Sequence, residues 1–490
     1  MNIADILDPP AARAADRSAL IVDEGGEATV CSYGALHAET EHWAAALSAS
    51  GLVQGDRIAL VDWGGVRGTA VTLAAAHLGA ATAQMNPLLT AGELTQLVDV
   101  SGCSRIGVAN RESRNALAEA IGDRGTILEH AGPSGRAPAR SSGGDADALV
   151  LFTSGTTGRP KPVAVSHRAI AARIEAYRAP FDPGRPPNVT MMCVPSFHVG
   201  GMLGLLLTLY AGDTTVVQPR FDAGRWLAAV ERHGVTSAFL VPTMLARILD
   251  HPDSSTTDTS ALRSISYGAA AAPQALIARA MSQWPEVGFA NVFGQTETLG
   301  AYAALSPAEH RDPQLAGSVG RPMPGVEVRV VDPATTEDVA AGAVGELWVR
   351  AGQTVGEGWL ETGDLVRQDE RGYLYPSGRR SDIINRGGEK FSPMEVAVVL
   401  RDHPSIADVA VAGVPDAEMG ERVGAAIVLR PAAPNPTDDE LRTWCRARLA
   451  AFKAPEVIAV VDALPYNELG KLPRRAAVAL ITAGRGKEPA

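Results

Sequence analysis

Leu151 to His167, LFTSGTTGRPKPVAVSH, decides the fold. An apolar run, Ala148 to Phe152, breaks into a loop, Thr153 to Gly158, built only of hydroxyl residues and glycine. Gly155 and Gly158 let main-chain N–H groups turn toward an anion. The hydroxyls of Thr153, Ser154, Thr156 and Thr157 donate further hydrogen bonds, and Lys161 supplies charge. The spacing is not the GxxxxGK[ST] of a Walker loop, so the string reads as a different phosphate cradle. A polar turn after a strand is the bland alternative.

Outward from this loop, strand and helix patterns alternate. Arg57 to Val61 and Ala81 to Met85 read as strands, Glu41 to Ala49 and Gly68 to Leu78 as helices. That alternation argues for an α/β sheet. Ser166 is a natural cap for a helix His167 to Arg178. Val189 to Val194 is an apolar strand that leads into Pro195, Ser196, Phe197, His198 and two glycines. Thr214 to Gln218, Val235 to Val241 and Leu262 to Tyr267 read as further strands, with Pro242 closing the second. Pro273 suits the first turn of the helix after it. Ser392, Pro393, Met394 and Glu395 form a capping box with proline at its preferred place, and Thr437 with Glu440 forms another.

At 490 residues the chain exceeds one hydrophobic core, so two or more domains are expected. Its mean hydropathy of +0.02 is that of a globular, soluble chain. A net charge of -11 lacks the basic surface that nucleic acid requires. Cys31, Cys103, Cys193 and Cys445 show neither disulfide nor zinc spacing and read as reduced cytoplasmic thiols. The N-terminus has no signal-peptide pattern, and no apolar stretch reaches the ~20 residues of a membrane span.

The loop resembles the signature of the adenylate-forming (AMP-binding) superfamily, which includes acyl-CoA synthetases and aryl-CoA ligases. Later stretches follow the same family in order, over nearly the whole chain. The resemblance implies layered α/β sheets with a small β-barrel subdomain in residues 1–380, and a small mobile α+β domain in 381–490. It implies that PSFHVGG lines the acyl pocket with His198 beside the reacting carboxylate. Gly268, Ala269, Ala270 and Ala271 would lie against adenine and acyl chain. NVFGQTET would supply Asn291, Phe293 and Gly294, with Thr296 at the α-phosphate and Glu297 on Mg2+. Asp364 would bridge the ribose hydroxyls and Arg379 would reach the ribose. Ser381 falls at the hinge, Gly387 and Gly388 would line the pantetheine tunnel, and Lys471 in LPYNELGKLPR would be the adenylation lysine. The implied reaction joins a carboxylic acid to AMP from ATP and passes the acyl group to coenzyme A, with a homodimer as the default assembly.

Three departures stand out. Pro162 replaces glycine after Pro-Lys, the segment between Val349 and Trp359 is short, and Ser381 replaces the usual Asp or Lys. They raise an alternative in which the protein only forms the thioester, from acyl-AMP made elsewhere. A ligase loading a carrier protein, a non-catalytic binding protein and a luciferase-like oxygenase are the other readings. The small side chains around the site suggest a bulky or cyclic hydrophobic acid.

Overall fold

Arg57–Val61 and Ala81–Met85 are nearly all buried and pair in parallel, Arg57 opposite Ala81 and Val61 opposite Met85. Strands covered on both faces need no polar alternation, which is why these runs are largely apolar or small, with buried Gln84 satisfied by the Thr72 and Thr82 hydroxyls. The computed structural model that shows this describes residues 1–103, 106–122, 125–129, 136–154, 160–356, 358–467 and 470–484, with Ser154 described by its main chain. The chain divides into two compact units. One comprises 1–316, 322–327 and 350–360, the other 317–321, 328–349 and 361–490.

The first unit holds two sheets. In the smaller, the order is Thr126–Leu128, Ile106–Ala109, Arg57–Val61, Ala81–Met85, Asp147–Ser154, Pro160–Ser166. The last strand folds back antiparallel at the edge, with Phe152 opposite Pro162 and Thr153 opposite Lys161. An edge strand has one unpaired side, so it accommodates Pro162 without breaking a central ladder. In the larger sheet, Val189–Met192 has Thr214–Val217 on one side and Ser237–Leu240 on the other, all parallel. Ser264–Gly268 and Gly288–Gln295 continue beyond Ser237–Leu240 in parallel, and Gly300–Leu305 turns back. The chain thus leaves Val189–Met192 on one side and returns on the other. Such a reversal opens a crevice at the carboxyl ends of the strands.

The helix Val199–Tyr210 starts at that crevice. Its Met202, Leu203, Leu206 and Leu209 share one core cluster with Leu149, Val165, Ile170 and Leu299, so it joins elements of both sheets. This apolar helix explains the run of leucines in the sequence.

The second unit contains a four-stranded sheet, Glu327–Val331, Val344–Arg350, Leu360–Gln368 and Leu374–Arg379 in that order. Its other sheet runs Glu389–Phe391, Ile384–Arg386, Gly420–Leu429, Ile406–Asp416, with Val457–Val460 also on Gly420–Leu429. Both capping boxes form, Ser392 with Glu395 and Thr437 with Glu440.

Several local expectations shift. The helix expected from Glu41 begins at Tyr33 with Ser32 as its cap, because Tyr33, Leu36 and Thr40 extend the buried face toward the N-terminus. Pro242 opens the helix Pro242–Asp250, and Pro273 is the cap before Gln274 rather than a first-turn residue. A helix Arg474–Gly484 follows Lys471, packing Ala477 and Ile481. The frayed tail expected beyond Gly484 lies outside the described residues. No helix among the described residues is long and apolar enough to cross a membrane.

Candidate active site

In the first unit, His198 caps the helix that starts at the crevice, and its N–H donates to the Pro195 carbonyl at 3.1 Å. The ring is half-buried, 4.6 Å from the Phe197 ring centroid, and Phe197 in turn lies 6.0 Å from Trp63. The glycines that follow are required by space. A Cβ on Gly201 would sit 2.2 Å from the Pro195 carbonyl oxygen, and one on Gly200 3.0 Å from Phe239.

Two strands away, a Cβ on Gly268 would meet the Val292 carbonyl oxygen at 2.2 Å. Ala269 has a φ of 66°, a left-handed conformation that costs a residue with a Cβ about 1–2 kcal/mol. Backbone strain of this kind gathers at functional sites. Ala270 is half-buried and Ala271 is exposed. Tyr267 pairs in register with Asn291 on the adjacent strand.

The Tyr267 hydroxyl lies 2.9 Å from His310 Nε2, and His310 Nδ1 lies 3.0 Å from the Ser306 carbonyl oxygen. That carbonyl only accepts, so Nδ1 carries the proton and Nε2 accepts from Tyr267. Burial lowers the His310 pKa, in keeping with a neutral ring. Burial also pushes the Tyr267 hydroxyl up to about 12, tempered by a hydrogen bond with the Asn291 side chain. The Tyr267 proton is thus committed to His310.

Phe293 packs edge-on against buried Tyr302, with ring centroids 5.3 Å apart. A Cβ on Gly294 would meet the Gly300 carbonyl oxygen at 2.0 Å. Thr296, Glu297 and Thr298 form a 3-10 turn beside the strand Asp147–Ser154 that leads into the phosphate loop. Thr296 and Glu297 are half-buried. The short segment after Val349 docks on this turn, with Val355 N–H donating to the Glu297 carbonyl at 2.9 Å. Thr153 and Lys161 face each other across the hairpin, Lys161 exposed. Gly155, Thr156, Thr157 and Gly158 lie outside the described residues, as does the Ser154 side chain.

In the second unit, Asp364 and Arg379 are paired across two strands, and Arg379 Nε meets Asp364 Oδ1 at 2.8 Å. Arg380 holds Glu346, whose side chain is 1% exposed, at 2.7 Å. Ser381 follows within the turn Arg380–Asp382. Gly387 and Gly388 have φ of 57° and 96°, and join two short strands as a two-residue hairpin. Positive φ at both positions is the conformation that such hairpins demand. Lys471 sits on an exposed loop closed by Asn467, whose Oδ1 accepts from Lys471 N–H at 2.9 Å and whose N–H donates to the Lys471 carbonyl at 2.9 Å.

The fold therefore gathers His198, Gly268 to Ala270, Asn291, Phe293, Gly294, Thr296 and Glu297 along the carboxyl ends of one sheet. Tyr267, His310 and Arg474 carried no role in the sequence reading. Arg474 was visible as the last residue of LPYNELGKLPR, whereas His310 has no neighbouring motif. Among the described residues no group of three His, Cys, Asp or Glu side chains converges. Glu297 is thus a single carboxylate, suited to a Mg2+ that takes its remaining oxygens from phosphate and water.

Residues 7–360 match the family model of the AMP-binding enzyme, and residues 395–471 that of the AMP-binding enzyme C-terminal domain. The chain is 31% identical to an indoleacetate–CoA ligase of Aromatoleum aromaticum, over 90% of this chain and 91% of that one. It is 30% identical to a fatty acid–[acyl-carrier-protein] ligase of Streptomyces coeruleorubidus, over 92% and 91%. The structure of o-succinylbenzoate CoA synthetase from Bacillus subtilis with its acyl-adenylate superposes with a TM-score of 0.83 at 27% identity, covering 96% of this chain and 97% of the other.

Proposed function

The chain belongs to the AMP-binding enzyme family of ATP-dependent acid–thiol ligases, and on that premise we propose that it converts a hydrophobic, bulky or cyclic carboxylic acid to its CoA thioester through an acyl-adenylate. The observation that carries this reading is that His198, Gly268, Asn291 and Glu297 all lie at or just beyond the carboxyl-terminal part of strands of one parallel sheet, beside its reversal point.

A carboxylate is a poor acyl donor because oxide is a poor leaving group. Attack on the α-phosphate brings two anions together, so catalysis is largely charge compensation. Lys471 and the donors of Thr153 to Gly158 would supply it. Thr296 would hold the α-phosphate, and His198 would border the incoming carboxylate. Asn291 Oδ1 would accept from the exocyclic amine of adenine, with Gly268, Ala269 and Ala270 against the ring. Asp364 would accept from the ribose hydroxyls, steered by Arg379. Mg2+, held by Glu297, would screen phosphate charge. Ala271 and Gly294 would border the acyl chain. The thiol step would use the Gly387–Gly388 hairpin, with residues 381–490 turning about Ser381 against residues 1–380. A cytoplasmic location and a homodimer belong to the same proposal.

Incubation with MgATP and a panel of aliphatic, aromatic and polycyclic acids, without CoA, tests the first step by mass spectrometry of acyl-AMP. Acyl-AMP followed by acyl-CoA on adding CoA is the expected result. Transfer to a phosphopantetheinyl carrier protein in preference to CoA would place the protein with carrier ligases instead. Thioester formation from synthetic acyl-AMP alone would assign it the second half-reaction only.

A further inference from the structure

Glu346 lies on the strand Val344–Arg350 with its side chain 1% exposed. A carboxylate held this far from water persists only where donors meet its oxygens. Here both are met. Oε2 accepts from Arg380 Nη1 at 2.7 Å, and Oε1 accepts from the Gly363 N–H at 3.2 Å. Arg380 is itself half-exposed and also reaches the exposed Glu361 at 3.4 Å. A surface acid is therefore at hand, and the buried one is not needed merely to neutralise the arginine.

Its two donors flank the residues assigned to the ribose. Gly363 directly precedes Asp364, and Arg380 directly follows Arg379. Asp364 and Arg379 are register partners, joined from Arg379 Nε to Asp364 Oδ1 at 2.8 Å. The contacts close a ring. It runs from Glu346 to Gly363, along the chain to Asp364, across to Arg379, along the chain to Arg380 and back to Glu346. Each non-covalent link in it is a hydrogen bond to a carboxylate, the stronger class.

The same turn is fastened a second time. Thr362 Oγ1 donates to the Leu347 carbonyl at 2.6 Å and accepts from the Asp364 N–H at 3.1 Å. Gly363 takes a φ of 73°, the left-handed region that favours glycine, and turns its N–H onto Glu346. Glu346 and Leu347 of one strand thus hold Gly363 and Thr362 of the next, and Asp364 leaves this clamp with its direction set.

We infer that Glu346 is a positioning residue for ribose recognition, holding Asp364 and Arg379 in one rigid frame that meets the nucleotide. This inference rests on the ligase reading and extends its nucleotide site inward by one residue. Glu346 is too buried to touch the nucleotide and acts through Asp364. Loosening the frame therefore weakens what Asp364 reads, the ribose hydroxyls, and leaves the rest of the nucleotide contacts alone.

The test is a cycle between Asp364→Asn and Glu346→Gln, which keeps the shape and an acceptor for the Gly363 N–H but loses the charge. Calorimetric Kd is taken for ATP and 2′-deoxy-ATP without acid or CoA, alongside KM and kcat for acyl-AMP formation over the acid panel. Wild type is expected to prefer ATP. Glu346→Gln is expected to weaken ATP by about five- to tenfold and 2′-deoxy-ATP by less than about threefold, with kcat within about threefold. In the Asp364→Asn background the same change is expected to add less than about twofold, because the frame then holds nothing that reads the ribose. Arg380→Lys keeps a point charge for a single contact and is expected to stay within about threefold of wild type. Glu346→Gln with Arg380→Met removes both charges at once and is expected to match Glu346→Gln, which separates lost positioning from an unpaired arginine. Equal weakening of both nucleotides, a loss that adds in full to that of Asp364→Asn, or no preference for ATP in wild type overturns the positioning role, while acyl-AMP formation upholds the ligase reading. The expected Kd pattern without acyl-AMP from any acid keeps the role and overturns the adenylation step of that reading.

Discussion

Arg474 donates from Nη1 to the main-chain oxygen of Ser381 at 2.6 Å, while its Nη2 meets Glu421 Oε1 at 2.6 Å. Glu421 Oε2 in turn accepts from the Asn385 N–H at 2.8 Å. One side chain, three residues after Lys471, therefore grips the turn assigned as the hinge. Charge-assisted hydrogen bonds contribute about 1.5–3 kcal/mol, and about 1.4 kcal/mol is tenfold in an equilibrium. Arg474→Ala is expected to change the ratio of adenylation to thioester formation by about tenfold, because the hinge carbonyl loses its partner. Both half-reactions are measured separately, the second from synthetic acyl-AMP. An unchanged ratio would reduce Arg474 to a structural contact.

Asp364 is held from one side by Arg379, which leaves a carboxylate whose orientation is already fixed. If it receives the two ribose hydroxyls, wild type will discriminate between ATP and 2′-deoxy-ATP. Asp364→Asn is expected to raise the KM for ATP by about tenfold to a hundredfold and to flatten that discrimination. Retained discrimination in the variant would remove Asp364 from the ribose site.

Much of this was legible because the motifs are local. Ser392 to Glu395 announces its own helix, and Arg57 to Val61 announces its strand, since capping and burial leave direct marks in sequence. The strand ends bearing His198 and Gly268 were likewise placed by apolar runs that stop at proline or glycine, whereas Asn291 was placed only by the resemblance of NVFGQTET to a family motif. What the sequence did not reveal depends on tertiary packing. Arg173 reads as one arginine in an alanine-rich helix, and only the fold shows that its face is buried. The Tyr267–His310 pair joins residues 43 apart, with no spacing rule to link them. Pro242 read as a strand stop and proved also to be a helix start, because a residue fixed near a helical φ serves both.

His167 gives a pH dependence of known sign. It is fully buried, its Nδ1 accepts from the Ile3 N–H at 3.1 Å, and burial pulls its pKa down to about 4 from 6.5. Above 6.5 the ring is neutral folded or unfolded, so stability does not depend on it. Below 6.5 the unfolded chain takes up a proton that the folded protein refuses until about pH 4. Stability therefore falls as pH falls through that window, by an amount on the order of 3 kcal/mol. Denaturant midpoints between those limits are expected to drop more steeply for wild type than for His167→Gln. Parallel slopes would contradict the assignment.

Ala269 and Gly268 make a paired test of the strained strand end. Ala269→Gly relieves a left-handed alanine, offset by the extra freedom of glycine when unfolded, for a net gain of about 0.5–1 kcal/mol. Gly268→Ala forces a methyl against the Val292 carbonyl and is expected to cost about 2 kcal/mol or more. Urea melts measure both. Destabilisation by Ala269→Gly would mean that the alanine methyl contributes packing that outweighs its backbone strain.

Lys471 separates charge from loop architecture. The loop is closed through main-chain atoms of Lys471, the Asn467 side chain and a Gly470 N–H that donates to the Asn467 carbonyl at 2.8 Å, with Gly470 at a φ of 65°. None of these involves the lysine ammonium, so Lys471→Ala should leave the melting temperature within about 1 °C, as surface substitutions usually do. If the ammonium offsets charge between carboxylate and α-phosphate, adenylation should fall by about 10²–10³-fold, the scale of a lost electrostatic contact in a transition state. Thioester formation from synthetic acyl-AMP needs no such compensation and is expected to stay within severalfold. Asn467→Ala should do the opposite in kind, loosening the loop and lowering adenylation only in part. Equal loss of both half-reactions in Lys471→Ala would place the lysine in general binding, and an unchanged adenylation rate would remove it from the chemistry.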